Sequence, residues 1–508
     1  MLATSRVVLL LAVLCLAAAC SAPASADVTP PLAVQWVQSL GAEPDNDFSP
    51  LVTEGRVLVS HSGEVFCFDA LTGERQWEAK VEDQLISTAP VAWKDTVIGG
   101  LNSGFLGCVK TSDKSIVWQT NCGGTIAPNP ILLNDLLMLG SEQTALALYP
   151  DTGKTKWACT LASPARYGPL TDGSTLFFRC QDGSLQAVDA TTGRFRWRAP
   201  VPFGPESFPP VVAGGRVIVT AGKTLYAIAR TGAKSWEAEL PAGIGGPIAV
   251  VDDVMYVPCV DGHVYTLFAR SGRAQSGAEY KVDSSASAMP LITENHVIVG
   301  TSDSLIYVLD RATGAVQWVY RCRAPEQPVN DASIFGLYAP LVTADGALYA
   351  LTGGGDLYCF TATAPDNASP EFTELTPPPG EGLSNDSLSV SFAVYDDGCG
   401  LKPDSIVLTI DGKPLEVRYD APSGVVTALF SQPDDGIHLV KATASDYRGN
   451  TASKEWSFLT DESLAPEDET DQTRVLGAQT RTSPGGTAGQ TRGGARPGGG
   501  GGRRGGGG

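Results

Sequence analysis

Histidine is scarce in this chain: four residues in 508, at His61, His263, His296 and His438. None stands at metal-ligand spacing from another, and two flank turns, His61 beside Ser62-Gly63 and His263 beside Asp261-Gly262. Gly-x-Ser-x-Gly, His-Glu-x-x-His and the phosphate-binding glycine loop are all missing, which removes the common nucleophile, zinc and nucleotide signatures. Positive charge is in the minority, 36 Lys and Arg against 55 Asp and Glu, for a net −19. Phosphates would be repelled, so nucleic acid is excluded as a partner of the folded body. Long apolar runs are missing too. The longest, Val7 to Ala19, is too short to span a bilayer and has the length of an export signal.

That run follows Arg6 and leads to two competing processing sites. Ala24-Ser25-Ala26 offers small-x-small cleavage before Asp27, giving a signal peptide over 1–26. Ala17-Ala18-Ala19-Cys20 resembles a lipoprotein box ending the signal at 19, with Cys20 as the lipidated residue. Either way the chain is expected to be exported, to the periplasm or cell surface, touching a membrane only through such an anchor. Nine further cysteines follow, an odd number, and no two are adjacent. Cys67, Cys108 and Cys359 lie in apolar strand contexts and read as small buried hydrophobes.

What is abundant is periodic. Trp36, Trp77, Trp118, Trp157, Trp197, Trp236 and Trp318 are spaced by 41, 41, 39, 40, 39 and 82 residues, and Ser276 falls where the doubled interval lacks a tryptophan. A turn signature precedes them, complete as Asp-x-x-Thr-Gly-x-x-x-Trp from Asp69 through Gly73, Asp189 through Gly193 and Asp310 through Gly314. Asp and Thr can hydrogen-bond the backbone of a tight turn, and Gly supplies the positive φ that reverses the chain. The tryptophan on the next strand can then wedge against the neighbouring unit. Before each turn lie two short alternating strands, such as Leu176-Phe-Phe and Leu185-Gln-Ala-Val across Asp182-Gly183. With one preceding strand this makes four strands per unit of about 40 residues, the pattern of propeller blades. The strand around Trp36 has no upstream partners, and the last three strands, ending near Thr361, have no tryptophan strand after them. Joined, they make an eighth blade and close the ring.

These repeats resemble those of the pyrroloquinoline-quinone-type (quinoprotein-like) propeller family over about residues 30 to 363. That family contains quinone-dependent alcohol dehydrogenases and the non-enzymatic lipoprotein of the outer-membrane barrel-assembly machinery, so the resemblance implies the fold and leaves the function open. Its dehydrogenases carry an adjacent cysteine pair, calcium-binding carboxylates and a catalytic Asp on long insertions. Here no cysteines are adjacent and the units stay short. No catalytic residue, cofactor or metal is therefore expected.

The chain reads as all-β: an eight-bladed propeller of four-stranded blades over 27–364, then a small immunoglobulin-like sandwich over 365–460. Residues 364–382 read as a linker rich in Pro, Gly, Ser and Glu. Asp397-Gly-Cys-Gly-Leu and Ala444-Ser-Asp-Tyr-Arg-Gly-Asn450 resemble segments of bacterial immunoglobulin-like modules, and about 80 residues suits seven strands. Asp396, Asp397 and Asp446 are of a type that could hold calcium, but as turn caps they need no ion. The tail, 461–508, is acidic to Asp471, then rich in Gly and Arg with nothing to form a core, and reads as a disordered spacer.

The expected role is a non-catalytic, monomeric cell-envelope scaffold that binds protein partners through one propeller face, in outer-membrane protein assembly. The alternatives are a quinone-dependent oxidoreductase and a surface polysaccharide-binding protein. The partner surface is expected on the long connection after Trp318, with Arg321, Arg323, Asp331 and the aromatic anchor Phe335, and on a second connection with Glu206 and Phe208.

Overall fold

The computed structural model describes residues 27–464, apart from 41–49, 54, 62–63, 81–87, 89–90, 101–103, 111–114, 128–129, 203–207, 323–335, 387 and 432. Cys20, Glu206, Arg323, Asp331, Phe335 and the tail from 465 onward thus lie outside the described residues. Among those described are eight four-stranded antiparallel sheets, then one further sheet of four strands and one of five.

Seven of the eight blades take four consecutive strands each, the first from Leu51–Thr53 to Arg75–Lys80 and the seventh from Leu291–Ile292 to Val316–Arg321. The eighth joins Val342–Ala344, Ala347–Leu351 and Asp356–Thr361 to the N-terminal strand Ala33–Ser39, with Ala33 opposite Thr361 and Gln38 opposite Leu357. Inner strands such as Leu136–Ser141 are buried at all six positions, because a blade covers each face; hence their unbroken apolar runs. Outer strands such as Thr155–Thr160 alternate half-buried with exposed. Buried clusters cross from blade to blade. Phe68 and Val59 of blade 1 meet Tyr349 and Leu357 of blade 8, and Ile298 and Val308 of blade 7 meet Leu348 and Phe360 of blade 8.

The turn motif is built as its residue types require. Asp69 Oδ1 accepts the N–H groups of Leu71 (3.0 Å) and Thr72 (2.9 Å) and the Thr72 hydroxyl (3.1 Å). Asp189 and Asp310 repeat the arrangement with Thr192 and Thr313. Hydrogen bonds from Thr72 hold the Asp69 carboxyl below its usual range, and those from Thr313 do the same for Asp310.

Among the described residues, five turns receive the tryptophan of the preceding blade. The indole N–H of Trp36 donates to Ala70 O (3.1 Å), Trp118 to Pro150 O (2.8 Å), Trp197 to Arg230 O (2.7 Å) and Trp236 to Ala269 O (3.1 Å). The ring lies on the turn glycine: a Cβ on Gly193 would sit 2.6 Å from the Trp157 ring. Residues 111–114, where the blade following Trp77 would have its turn, lie outside the described residues. Gly193→Ala should therefore destabilise the protein by more than Gly173→Ala. Both have positive φ, costing about 1–2 kcal/mol for a side chain, but Gly173 has nothing within 4 Å of an added Cβ. Equal denaturant midpoints for the two variants would contradict the stacking.

Blade 6 differs from expectation. Its outer strand is only Tyr280–Lys281, and Ser276 does not stand in for the missing tryptophan. The Tyr280 hydroxyl instead donates to Arg311 O (2.5 Å), the carbonyl one residue after the motif aspartate.

The two C-terminal sheets share one core, with Val390, Phe392 and Val426 on one side and Leu408, Val440, Trp456 and Phe458 on the other. Among the described residues nine strand segments are present rather than seven, some of only two or three residues. The linker is shorter than its composition suggested. Glu371–Thr376 is a strand, pairing Phe372 with Val394, and Phe372 and Leu375 pack against the sandwich core. Blades and sandwich fall within one compact unit ending at Leu464.

Candidate interaction site

Arg321 does not project into a free connection. It ends the outer strand of blade 7, half-buried, and its guanidinium donates to Ser423 O (2.9 Å) and Ala421 O of the sandwich. Phe208 likewise is no open anchor: half-buried, it packs with Leu240, Ile244 and Ile248, and its N–H donates to Thr220 Oγ1 (3.0 Å). These two residues belong to packing within the chain, because each has an apolar or carbonyl-lined site within reach.

Arg321 leads to the seam between the last two blades and the sandwich. Trp318 is fully buried, and blade 8 offers it no Asp-x-x-Thr-Gly turn, because that blade takes its outer strand from the N-terminus and the chain leaves it at Thr361. The loop at Asp397 to Gly400 occupies that place. Trp318 donates to Cys399 O (2.7 Å), as other tryptophans donate to turn carbonyls. The Tyr320 hydroxyl reaches Asp397 O (3.1 Å), and the Val34 N–H, on the ring-closing strand, reaches Gly398 O (3.1 Å). From the second sandwich loop, the Tyr447 hydroxyl accepts the Val319 N–H (3.2 Å) and Arg448 donates to Ala362 O (2.8 Å). Glycine is required at 400: its φ is +89°, and a Cβ there would sit 2.8 Å from Val319 O.

Beneath this loop Asp366, Asp396, Cys399 and Asp446 each place one oxygen or sulfur within 4.8 Å of the other three. Turn capping accounts for part of the group. Asp446 Oδ1 accepts the N–H groups of Arg448 (2.8 Å) and Asn450 (2.9 Å), and Asp396 Oδ2 those of Gly398 (3.1 Å) and Gly400 (2.8 Å). Asp366 Oδ2 accepts the Cys399 N–H (2.8 Å). Burial, opposed by the Gly400 hydrogen bond and reinforced by the Asp366 and Asp446 charges, pushes the Asp396 carboxyl up to about 6. Burial also pushes the Cys399 thiol well up. Asp366 and Cys399 escaped the sequence reading. Asp366 lies in the segment taken for linker, and only the lack of the Asp-x-x-Thr-Gly motif after the strand ending at Thr361 signals that another loop must cover Trp318.

Two of the histidines sit in hydrogen-bond networks inside the fold. His296 bonds Asp27 (2.7 Å) and Gln317 (3.1 Å), and His438 bonds Asp411 (2.7 Å) and Thr460 (2.8 Å). The nine cysteines among the described residues are free thiols, seven of them buried.

Comparison with known proteins agrees with the ring. The chain is 21% identical over 367 residues to the outer membrane protein assembly factor BamB of Shewanella oneidensis, covering 65% of this chain and 88% of the relative. It is 24% identical over 336 residues to the factor of the same name from Burkholderia pseudomallei, covering 62% and 86%. Among solved structures, the quinohemoprotein alcohol dehydrogenase of Comamonas testosteroni matches 69% of this chain and 79% of its own at 15% identity and a TM-score of 0.50, a likeness of fold. The family model described as outer membrane protein assembly factor BamB matches residues 33–124, 61–207 and 181–383. With well over half of its length so matched, the chain belongs to that family of PQQ-type repeat propellers.

Proposed function

We propose that the protein is a non-catalytic scaffold of the cell envelope that holds protein partners during outer-membrane protein assembly. The observation that carries this reading is the family match across the whole ring, on a chain without adjacent cysteines. The relatives named as assembly factors are covered over most of their length, which supports the same role here. The export signal ahead of Asp27, with Cys20 as a candidate lipid anchor, would place the ring where such partners are. No helix among the described residues is long and apolar enough to cross a membrane. The sandwich, of immunoglobulin-like type in this reading, is the added module.

Affinity purification from envelope extracts should recover components of the barrel-assembly machinery, and depletion of the chain should lower outer-membrane barrel protein levels. Incubation with pyrroloquinoline quinone and calcium should give no stoichiometric complex. A bound quinone with dye-linked alcohol oxidation would replace the scaffold by the oxidoreductase. Enrichment on envelope polysaccharide alone, with barrel proteins unaffected, would favour a surface-binding role.

A further inference from the structure

We propose that Asp366, Asp396 and Asp446 bind a divalent cation of the calcium class, which clamps the sandwich to the last blade of the propeller. Capping explains why each aspartate stands at its turn, but not why three carboxylates converge. Asp446 is 1% exposed and Asp396 8% exposed. Among the described residues, no Lys, Arg or His forms an ion pair with any of the three. Arg448, the nearest cation in sequence, turns its guanidinium to Ala362 O. Like charges held this closely in a buried setting need a proton or a cation among them.

A second observation points to the cation. Both hydrogen bonds to the Asp396 carboxylate fall on Oδ2, and its buried Oδ1 has no partner. An acceptor buried without a donor costs stability unless something else completes it. The donor set favours a hard ion, since three carboxylates outnumber one thiol and calcium takes oxygen ligands.

The three ligands come from three pieces of chain. Asp366 lies on the segment leaving blade 8, Asp396 beside the loop seated on Trp318, and Asp446 at the tip that carries Tyr447 and Arg448. One ion there would tie both sandwich loops to the exit of the ring, and binding only the folded state would stabilise it.

The test is calorimetric titration of the full-length protein, freed of metal with a chelator, with calcium chloride, followed by thermal melting at each concentration. One ion per chain and a saturable rise in melting temperature are expected. Asp396→Asn, which keeps the shape and removes a charge, should weaken binding by roughly tenfold or more. Cys399→Ser should leave calcium affinity within about twofold, because a thiol is not a calcium ligand. No heat and no shift in the unsubstituted protein at millimolar calcium would overturn the proposal without reference to any variant. So would tight zinc binding that Cys399→Ser abolishes, since that would make the site a thiolate centre.

Discussion

Trp318→Ala is expected to cost about 3–5 kcal/mol of stability, the range for emptying a fully buried tryptophan site. The side chain is 0% exposed, stacks on Tyr320 at 5.7 Å between ring centroids and meets Phe360 edge-on at 5.5 Å. Its removal also leaves the Cys399 carbonyl without its donor at the base of the sandwich loop. Trp236→Ala, at a seam between two ordinary blades where the ring is only half-buried, should cost clearly less. Guanidinium unfolding followed by circular dichroism would compare them. Equal losses would mean that the sandwich adds nothing to the last seam.

Ending the chain after Ala364 should lower the melting temperature of the propeller and make it prone to self-association. The sandwich covers Trp318, Val319 and Tyr320 with Cys399, Ala421 and Tyr447, and a truncated ring would present those aromatics to water. The loss should not be mutual. The sandwich keeps its own core of Val390, Phe392, Val440, Trp456 and Phe458, so residues 365–464 expressed alone should still melt cooperatively. Scanning calorimetry of the two fragments and the full chain would measure this. A truncated propeller that melts where the full chain does would show the sandwich to be an independent appendage.

The ring was legible because its signals are local and repeated. A turn such as Asp69 to Gly73 declares itself in five residues, and eight hairpins in register leave little freedom in topology. What sequence missed depended on contacts between distant segments. Tyr280 does the work of a tryptophan from a position four residues beyond the expected one, so counting intervals led to Ser276. Glu371–Thr376 was hidden because its partner, Leu388–Tyr395, lies beyond a Pro- and Gly-rich stretch. Arg321 is of the residue type that anchors interfaces, and it does so, but within its own chain. The grouping of Asp366 with Asp446, 80 positions apart, has no local signature; only each residue's role as a cap could be read.

The way the ring closes also decides how the protein bears tension. Ala33 pairs with Thr361 at the end of the closing strands from which both the preceding and the following chain depart. Pulling those departures apart would load the ladder one rung at a time, as a zipper opens, rather than shear all rungs together. That is the mechanically soft direction of a strand pair, and of the other blades blade 7 shares the load, because Asp27 bonds His296 and Leu32 is buried beside Ile298. The Val34 N–H held by Gly398 lies one residue inside the point where such opening would start. The sandwich loop is therefore a stop across the first tooth of the zipper, set where a closed ring that must still continue its chain is weakest under pull.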